Sequence, residues 1–334
     1  MDNELKRINE IFSNPVPANK DNLEDKKKFI NAKKCWICND KFNHSDTKVW
    51  DHCHITGKFR EAAHSECNLK LQIKPWKTPV PIVIHNFRGY DSHLICESVS
   101  KSKSAHRIEV VAETFERYKT MRVGQLKYID SFQFMNSSLS KLAENIGAVK
   151  CKKTNSYNHL FRIDKNHCMS SPEKYTINMA YFIKKGYTKE QMALLLRKGI
   201  FPYEYINSLN RLNEIELPPI HNFHSALGKK VSQNEYEHAQ NVWRAFNCKN
   251  LGDYHDLYLY TDVLLLSDVW TSFRRTSMQH YELDSSHYIS APALAWNAIL
   301  KYTGVKIELF TEGNMPMHDF AEAAKCGGIT MACR

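Results

Sequence analysis

No apolar run in this sequence approaches the roughly 20 residues that a bilayer span requires. The opening stretch MDNELKRINEIF (1–12) also lacks the layout of a secretory signal. On these absences neither a helical membrane span nor a secretory leader is expected, and an intracellular location is. Disulfide density is missing as well. Ten cysteines in 334 residues, with no secretory signal, read as thiols and metal ligands rather than covalent staples. What the chain has instead is sixteen histidines and a net charge of +10, with a pI of about 9.0. That balance favours a polyanionic partner. A hydrophobic content of 43% is ordinary for a globular chain, and the length allows two or three domains.

The most specific motif is CWIC at 35–38 followed by HSECN at 64–68. Cys35 and Cys38 place two thiols on one knuckle; His64 and Cys67 repeat the two-residue gap. Four such ligands are what a structural zinc takes. Between the pairs lies DHCHITGKFR (51–60), which crowds Asp51, His52 and His54 into four residues, with Gly57 allowing a tight turn. The two pairs already fill a tetrahedron, so these residues are free for other chemistry.

A second constellation lies far downstream, in LYLYTDVLLLSDVW (257–270). Tyr258 and Asp262 share one helical face. Asp262 precedes a run that belongs in a core, where an isolated carboxylate is costly unless paired or metal-bound. A helix cap, a salt-bridged core aspartate and a metal ligand are the three readings. A metal ligand would need a second carboxylate. HNFRGYD (85–91), directly after the apolar run 80–84, offers Asp91.

Elsewhere, 1–34 is charged and is split into two helical pieces by SNPVPAN (13–19). IKPWKTPVP (73–81) reads as a linker. Residues 92–100 look helical with Leu94 and Ile95 inward. Strand patterns at 107–112 and 124–130 flank a basic hairpin (116–124), and basic and aromatic residues alternate over 117–134. That alternation suits either a single-strand groove with stacking platforms or a solvated hairpin with core aromatics. SSLSKLAENI (137–146) is a helix with serine available as its cap. Residues 151–168 look like a polar surface insertion; 187–196 and 234–247 read as amphipathic helices. Residues 199–223, rich in proline and aromatics, must wrap over something.

On these residues the segment 35–69 resembles the treble-clef nuclease fold of recombination endonuclease VII, of the HNH class. The resemblance implies a catalytic Mg²⁺ or Mn²⁺ held by Asp51 and Asn68, His52 as general base, and His54 assisting at the scissile phosphate. That family commonly has Cys where His64 stands. From residue 35 onward the chain also resembles the protein-primed family B DNA polymerases of Maverick/Polinton-type mobile elements. DHCHITGKFREAAH, HNFRGYDSHLI, LGDYHDLYLYTDVLLLSDVW, APALAWNAILKYTGV and KCGGIT carry that likeness, in order.

The second resemblance implies an α/β fold: an RNase H-like 3′–5′ exonuclease domain, a mixed sheet with flanking helices, preceded by the zinc module. The implied boundaries are an N-terminal helical segment at 1–34, the zinc module at 35–72, the exonuclease domain at 79–285 and a connection to a palm at 286–334. Asp91 and Asp262 would hold catalytic Mg²⁺, and Tyr258 would orient the attacking water. Asn86, Ser138, Leu139, Gly327 and Gly328 would contact the primer or template strand. A terminal-protein primer is implied as a partner, and a nuclear location where a host genome encodes the element. Two departures stand out. The only Asp-x-Glu before Cys35 is Asp2–Glu4, in no strand pattern, and the palm would lie beyond Arg334. Lys325 also replaces the aromatic expected before Gly327. An impaired exonuclease region that binds DNA, a zinc-containing HNH endonuclease and a non-catalytic nucleic-acid binder are therefore the three functions in play.

Overall fold

Pro15 and Pro17 set the first boundary, because proline cannot continue a helix and biases its predecessor out of one. Helix α1 (Asp2–Ser13) ends before them and α2 (Leu23–Asn31) begins after, capped by the Asn22 side chain, which accepts the Glu24 N–H. The structure is a computed structural model, described for residues 2–43, 45–71, 73–101, 107–148, 177–223, 230–308 and 311–324. Asp2 and Glu4 lie in α1, so this Asp-x-Glu is helical.

A two-stranded antiparallel hairpin, β1 (Lys48–His52) and β2 (Phe59–His64), leads into α3 (Ser65–Lys70). Phe29 of α2 packs on Trp50 at 5.4 Å and on Phe59 at 6.4 Å, covering the hairpin. The segment between α1 and α2 is tied to the same hairpin. Val16 N–H donates to the His54 carbonyl at 2.7 Å, and Asn19 N–H to the Gly57 carbonyl at 2.8 Å. Gly57, at φ +72°, is required here, because a Cβ would sit 2.6 Å from the Pro17 oxygen. Residues 16–31 are thus built into the zinc-binding unit, upstream of the expected start at Cys35.

The larger sheet holds β3 (Val80–Ile84), β4 (Ile108–Ala112), β5 (Tyr118–Val123) and β6 (Leu126–Asp130) in the order β3-β6-β5-β4. β3 runs parallel to β6 and the other pairs are antiparallel, giving the expected mixed sheet. α4 (Asp91–Ser100) follows β3. The structure decides three sequence expectations here. The basic stretch 116–124 is mostly β5: Met121 and Val123 alternate inward with Arg122 outward, a period of two. Tyr128 and Phe134 are core residues, Tyr128 stacking on Phe87 at 5.7 Å, so they are no stacking platforms for bases. Leu94 also points outward, while Ile95 packs under the sheet.

The helices α5 (Leu139–Ala148), α6 (Ile177–Lys184), α7 (Lys189–Leu194) and α8 (Gln233–Ala245) gather around α9 (Leu251–Tyr281). Full capping boxes start α7 (Thr188 with Gln191) and α8 (Ser232 with Glu235). The loop 199–223 does wrap over this layer, burying Phe201 and Phe223. Leu139 and Ala143 pack on Leu265 and Val269, and Phe134 meets Trp270 at 5.1 Å, joining sheet to helix. Two further helices, α10 (Ala291–Thr303) and α11 (Met315–Ala323), complete the described chain.

One polar knot links α1 to the sheet. Asn9 is fully buried; its amide donates to Gln125 Oε1 at 2.9 Å, and its oxygen accepts the Trp76 N–H at 2.6 Å. Gln125 passes the link on to the Thr78 carbonyl at 2.7 Å. Trp76, at φ +61°, is held in a conformation that bulky residues rarely adopt.

Candidate functional site

Cys35 opens the knuckle with its N–H on the Asp40 carbonyl, and α3 presents Cys67 one turn after His64. The ligand atoms of Cys35, Cys38, His64 and Cys67 all lie within 4.8 Å of one another. His64 Nδ1 is 3.4 Å from Cys38 Sγ and 4.0 Å from Cys67 Sγ. Bonds of roughly 2.3 Å to a tetrahedral zinc would set sulfur atoms about 3.7 Å apart, so the set fits that ion. The other ring nitrogen, Nε2, lies 3.2 Å from Asp46 Oδ2, close enough for an ion pair but without hydrogen-bond geometry.

Charge supports the same assignment. Burial raises the Cys35 thiol, but N–H groups of Cys38, His64 and Ile37 outweigh it and bring it down to about 7. The Asp40 N–H favours the Cys38 thiolate, yet burial and the neighbouring Cys35 and Cys67 push it up to about 11. Crowded thiols that resist shedding several protons together are relieved by a bound cation.

Beside this cluster the pairing register of the hairpin shifts between Trp50 and His52, leaving Asp51 at the irregularity. Such bulges re-aim side chains. Asp51 is 2% exposed and accepts the Trp36 indole N–H on Oδ2 at 3.0 Å. His52 is half-buried, its ring 4.8 Å from that of His54. Burial and the adjacent His54 lower the His52 pKa, against hydrogen bonding to the Val16 carbonyl and the Asp51 charge. Neutral His52 is therefore the favoured form near pH 7, as a base requires. Asn68 lies on α3, which packs against β1.

The downstream candidates have two sets of neighbours, one on α9 and one at the start of α4. Asp262 lies in the interior of α9, so it is no helix cap. Its Oδ2 meets Lys198 Nζ at 2.8 Å, while Oδ1 is buried with no hydrogen-bond partner. Tyr258, one turn earlier, shares its hydroxyl with Tyr203 at 2.7 Å, and burial with the Asp262 charge pushes its pKa far up. Asp91 opens α4; burial, with Asp130 adding, raises its carboxyl pKa. Asn86 adopts φ +62° beneath the Phe87–Gly89 turn, and a Cβ on Gly89 would lie 2.9 Å from its side chain.

His85 stands between these neighbourhoods, with ring nitrogens 2.9 Å from Ser131 Oγ and 2.9 Å from the Ser137 carbonyl. Burial lowers its pKa, and both Asp130 and Lys198 bear on it electrostatically. Ser138 caps α5 by accepting the Lys141 N–H at 3.4 Å, and Leu139 is buried against α9. Gly327 and Gly328, like residues 151–168, lie outside the described residues.

Sequence reasoning missed Lys198, Tyr203, Asp130 and Asp46. Lys198 and Tyr203 carried no local signal. Asp130 carried one: it ends an apolar strand, and carboxyl ends of parallel strands are where α/β sheets hold ligands. It is fully buried, accepting N–H groups from Arg88 and Phe132.

Residues 13–74 match the family model of recombination endonuclease VII. No curated protein and no solved structure gives a significant match to the chain. The chain therefore contains an endonuclease VII-like domain carrying a Cys₃His cluster suited to zinc, and this domain implies DNA as partner. The match begins near the end of α1, in agreement with the tie between residues 16–19 and the hairpin. It gives no support to the family B polymerase resemblance. Among the described residues no helix is long and apolar enough to cross a membrane.

Proposed function

We propose that this chain is a zinc-stabilised DNA endonuclease whose active site is Asp51, His52 and Asn68. The observation that carries the reading is the convergence of Cys35, Cys38, His64 and Cys67 inside a segment matching recombination endonuclease VII. Zinc would hold the treble clef together and take no part in the cut. Asp51 and Asn68 would hold a divalent ion such as Mg²⁺ or Mn²⁺, which when bound would stabilise charge on the scissile phosphate. His52 takes the proton from the attacking water. Its ring is held by the Val16 carbonyl, and its lowered pKa leaves the nitrogen lone pair available. His54, alongside, assists at the phosphate. The test is nicking of supercoiled DNA with Mg²⁺. Activity lost in His52→Ala and kept in Asp262→Asn supports the reading; nicking unaffected by His52→Ala overturns it.

A second reading places residues 79–285 as the RNase H-like exonuclease region of a mobile-element family B DNA polymerase. The buried, unpartnered Oδ1 of Asp262, one turn from Tyr258, favours it. In that reading Asp91 and Asp262 bind Mg²⁺ or Mn²⁺, Tyr258 orients water, and Asn86, Ser138 and Leu139 hold the primer end. Gly327 and Gly328 then lie near the template, and a terminal protein is a partner. Trimming of 3′ ends that is lost in Asp262→Asn tests this reading. DNA retention with neither activity would favour the non-catalytic binder.

A further inference from the structure

Asp51 is nearly sealed from water, and a buried carboxylate has a defined direction only if hydrogen-bond donors fix it. Two donor side chains approach it at the same oxygen, one at hydrogen-bond distance and one beyond it. The Trp36 indole N–H is 3.0 Å from Oδ2, and Arg60 Nη1 is 3.9 Å away with a side chain 37% exposed. The closer donor is neutral and the farther one is solvated, so the indole does most of the orienting.

Trp36 is itself held firmly. It follows Cys35, whose sulfur accepts the His64 N–H at 3.3 Å, and its own N–H donates to the Ala62 carbonyl on β2 at 3.1 Å. One residue thus connects the zinc knuckle, β2 and the carboxylate on β1. We propose that Trp36 is a positioning residue for Asp51, holding Oδ2 through its indole N–H so that the rest of the carboxylate faces the divalent ion. The inference rests on the nuclease reading above. It assigns a role to one of the two residues between Cys35 and Cys38 beyond spacing them.

Mn²⁺ is the probe, because its preference for oxygen keeps it from the thiolate cluster. Its affinity for the zinc-loaded full chain is measured by electron paramagnetic resonance in wild type, Asp51→Asn, Trp36→Phe and a protein carrying benzothienylalanine at position 36. The last replacement keeps the ring shape and exchanges only N–H for sulfur, so it tests the bond where Trp36→Phe fails to fold. Supporting the proposal, Asp51→Asn abolishes Mn²⁺ binding, and both Trp36 replacements weaken it by about 10- to 100-fold with zinc content unchanged. Wild-type Mn²⁺ affinity in the benzothienyl protein overturns the positioning role and leaves the nuclease reading standing. Mn²⁺ binding that is absent from wild type, or indifferent to Asp51→Asn, overturns both.

Discussion

Lys198 Nζ lies 2.8 Å from Asp262 Oδ2, a charge pair between residues 64 positions apart that ties a loop to the middle of α9. Both side chains are largely shielded from water, so removing one leaves the other without compensation. Lys198→Met is expected to cost about 1–3 kcal/mol, and Asp262→Leu a similar amount. The double variant recovers much of that loss, which a double-mutant cycle in urea measures.

Asn9 is the corresponding test of how α1 docks. Asn9→Ala strands the Trp76 N–H and the Gln125 Oε1 in a buried site. The expected cost is about 1–3 kcal/mol, read as a lowered denaturation midpoint. A neutral substitution would mean that water replaces the lost amide.

Asp284 gives the pH dependence. Burial alone would raise its pKa, but hydrogen bonds from Arg274 and the Ser286 N–H outweigh it and bring the carboxyl down to about 2. A carboxylate with a depressed folded pKa stabilises the fold above its unfolded value of 3.8 and loses that contribution as pH falls towards 2. Asp284→Asn should cost on the order of 1–2 kcal/mol at pH 7 and flatten the stability profile between pH 4 and pH 2, by thermal melts.

The zinc ligands were the most legible part of the chain, because CxxC and HxxC are local patterns whose spacing is itself the geometry. Helices with proline breaks and side-chain caps were equally readable: α1 and α2 around Pro15 and Pro17, and α5 behind Ser138. β5 was not, since Arg117, Lys119 and Arg122 disguise a strand whose buried residues are Thr120 on one face and Met121 and Val123 on the other. Lys198 could not be found because nothing local distinguishes a lysine that pairs with a distant aspartate from one in solvent. The upstream reach of the zinc-binding unit was hidden for a similar reason. Val16 and Asn19 join it through backbone groups, which leave no mark on side-chain patterns.

Metal removal should separate the two halves of the chain. Chelation is expected to melt the unit around Cys35 and Cys67 while the α9 core keeps its transition, followed by calorimetry. Cys38→Ser should lose zinc, and His64→Cys should keep it, because either residue can serve as a zinc ligand. Equal zinc loading of Cys38→Ser would remove Cys38 from the site.

The most direct test of the account is Mg²⁺-dependent nicking of supercoiled DNA by zinc-loaded wild type and His52→Ala, compared across pH. Wild-type nicking should be steady near pH 7 and fall with acidification only below the usual histidine value of 6.5, since burial lowers the His52 pKa from there. His52→Ala, with zinc content unchanged, should lose at least about 100-fold in rate. A His52→Ala protein that nicks as fast as wild type, or a zinc-loaded wild type that does not nick at all, would contradict it.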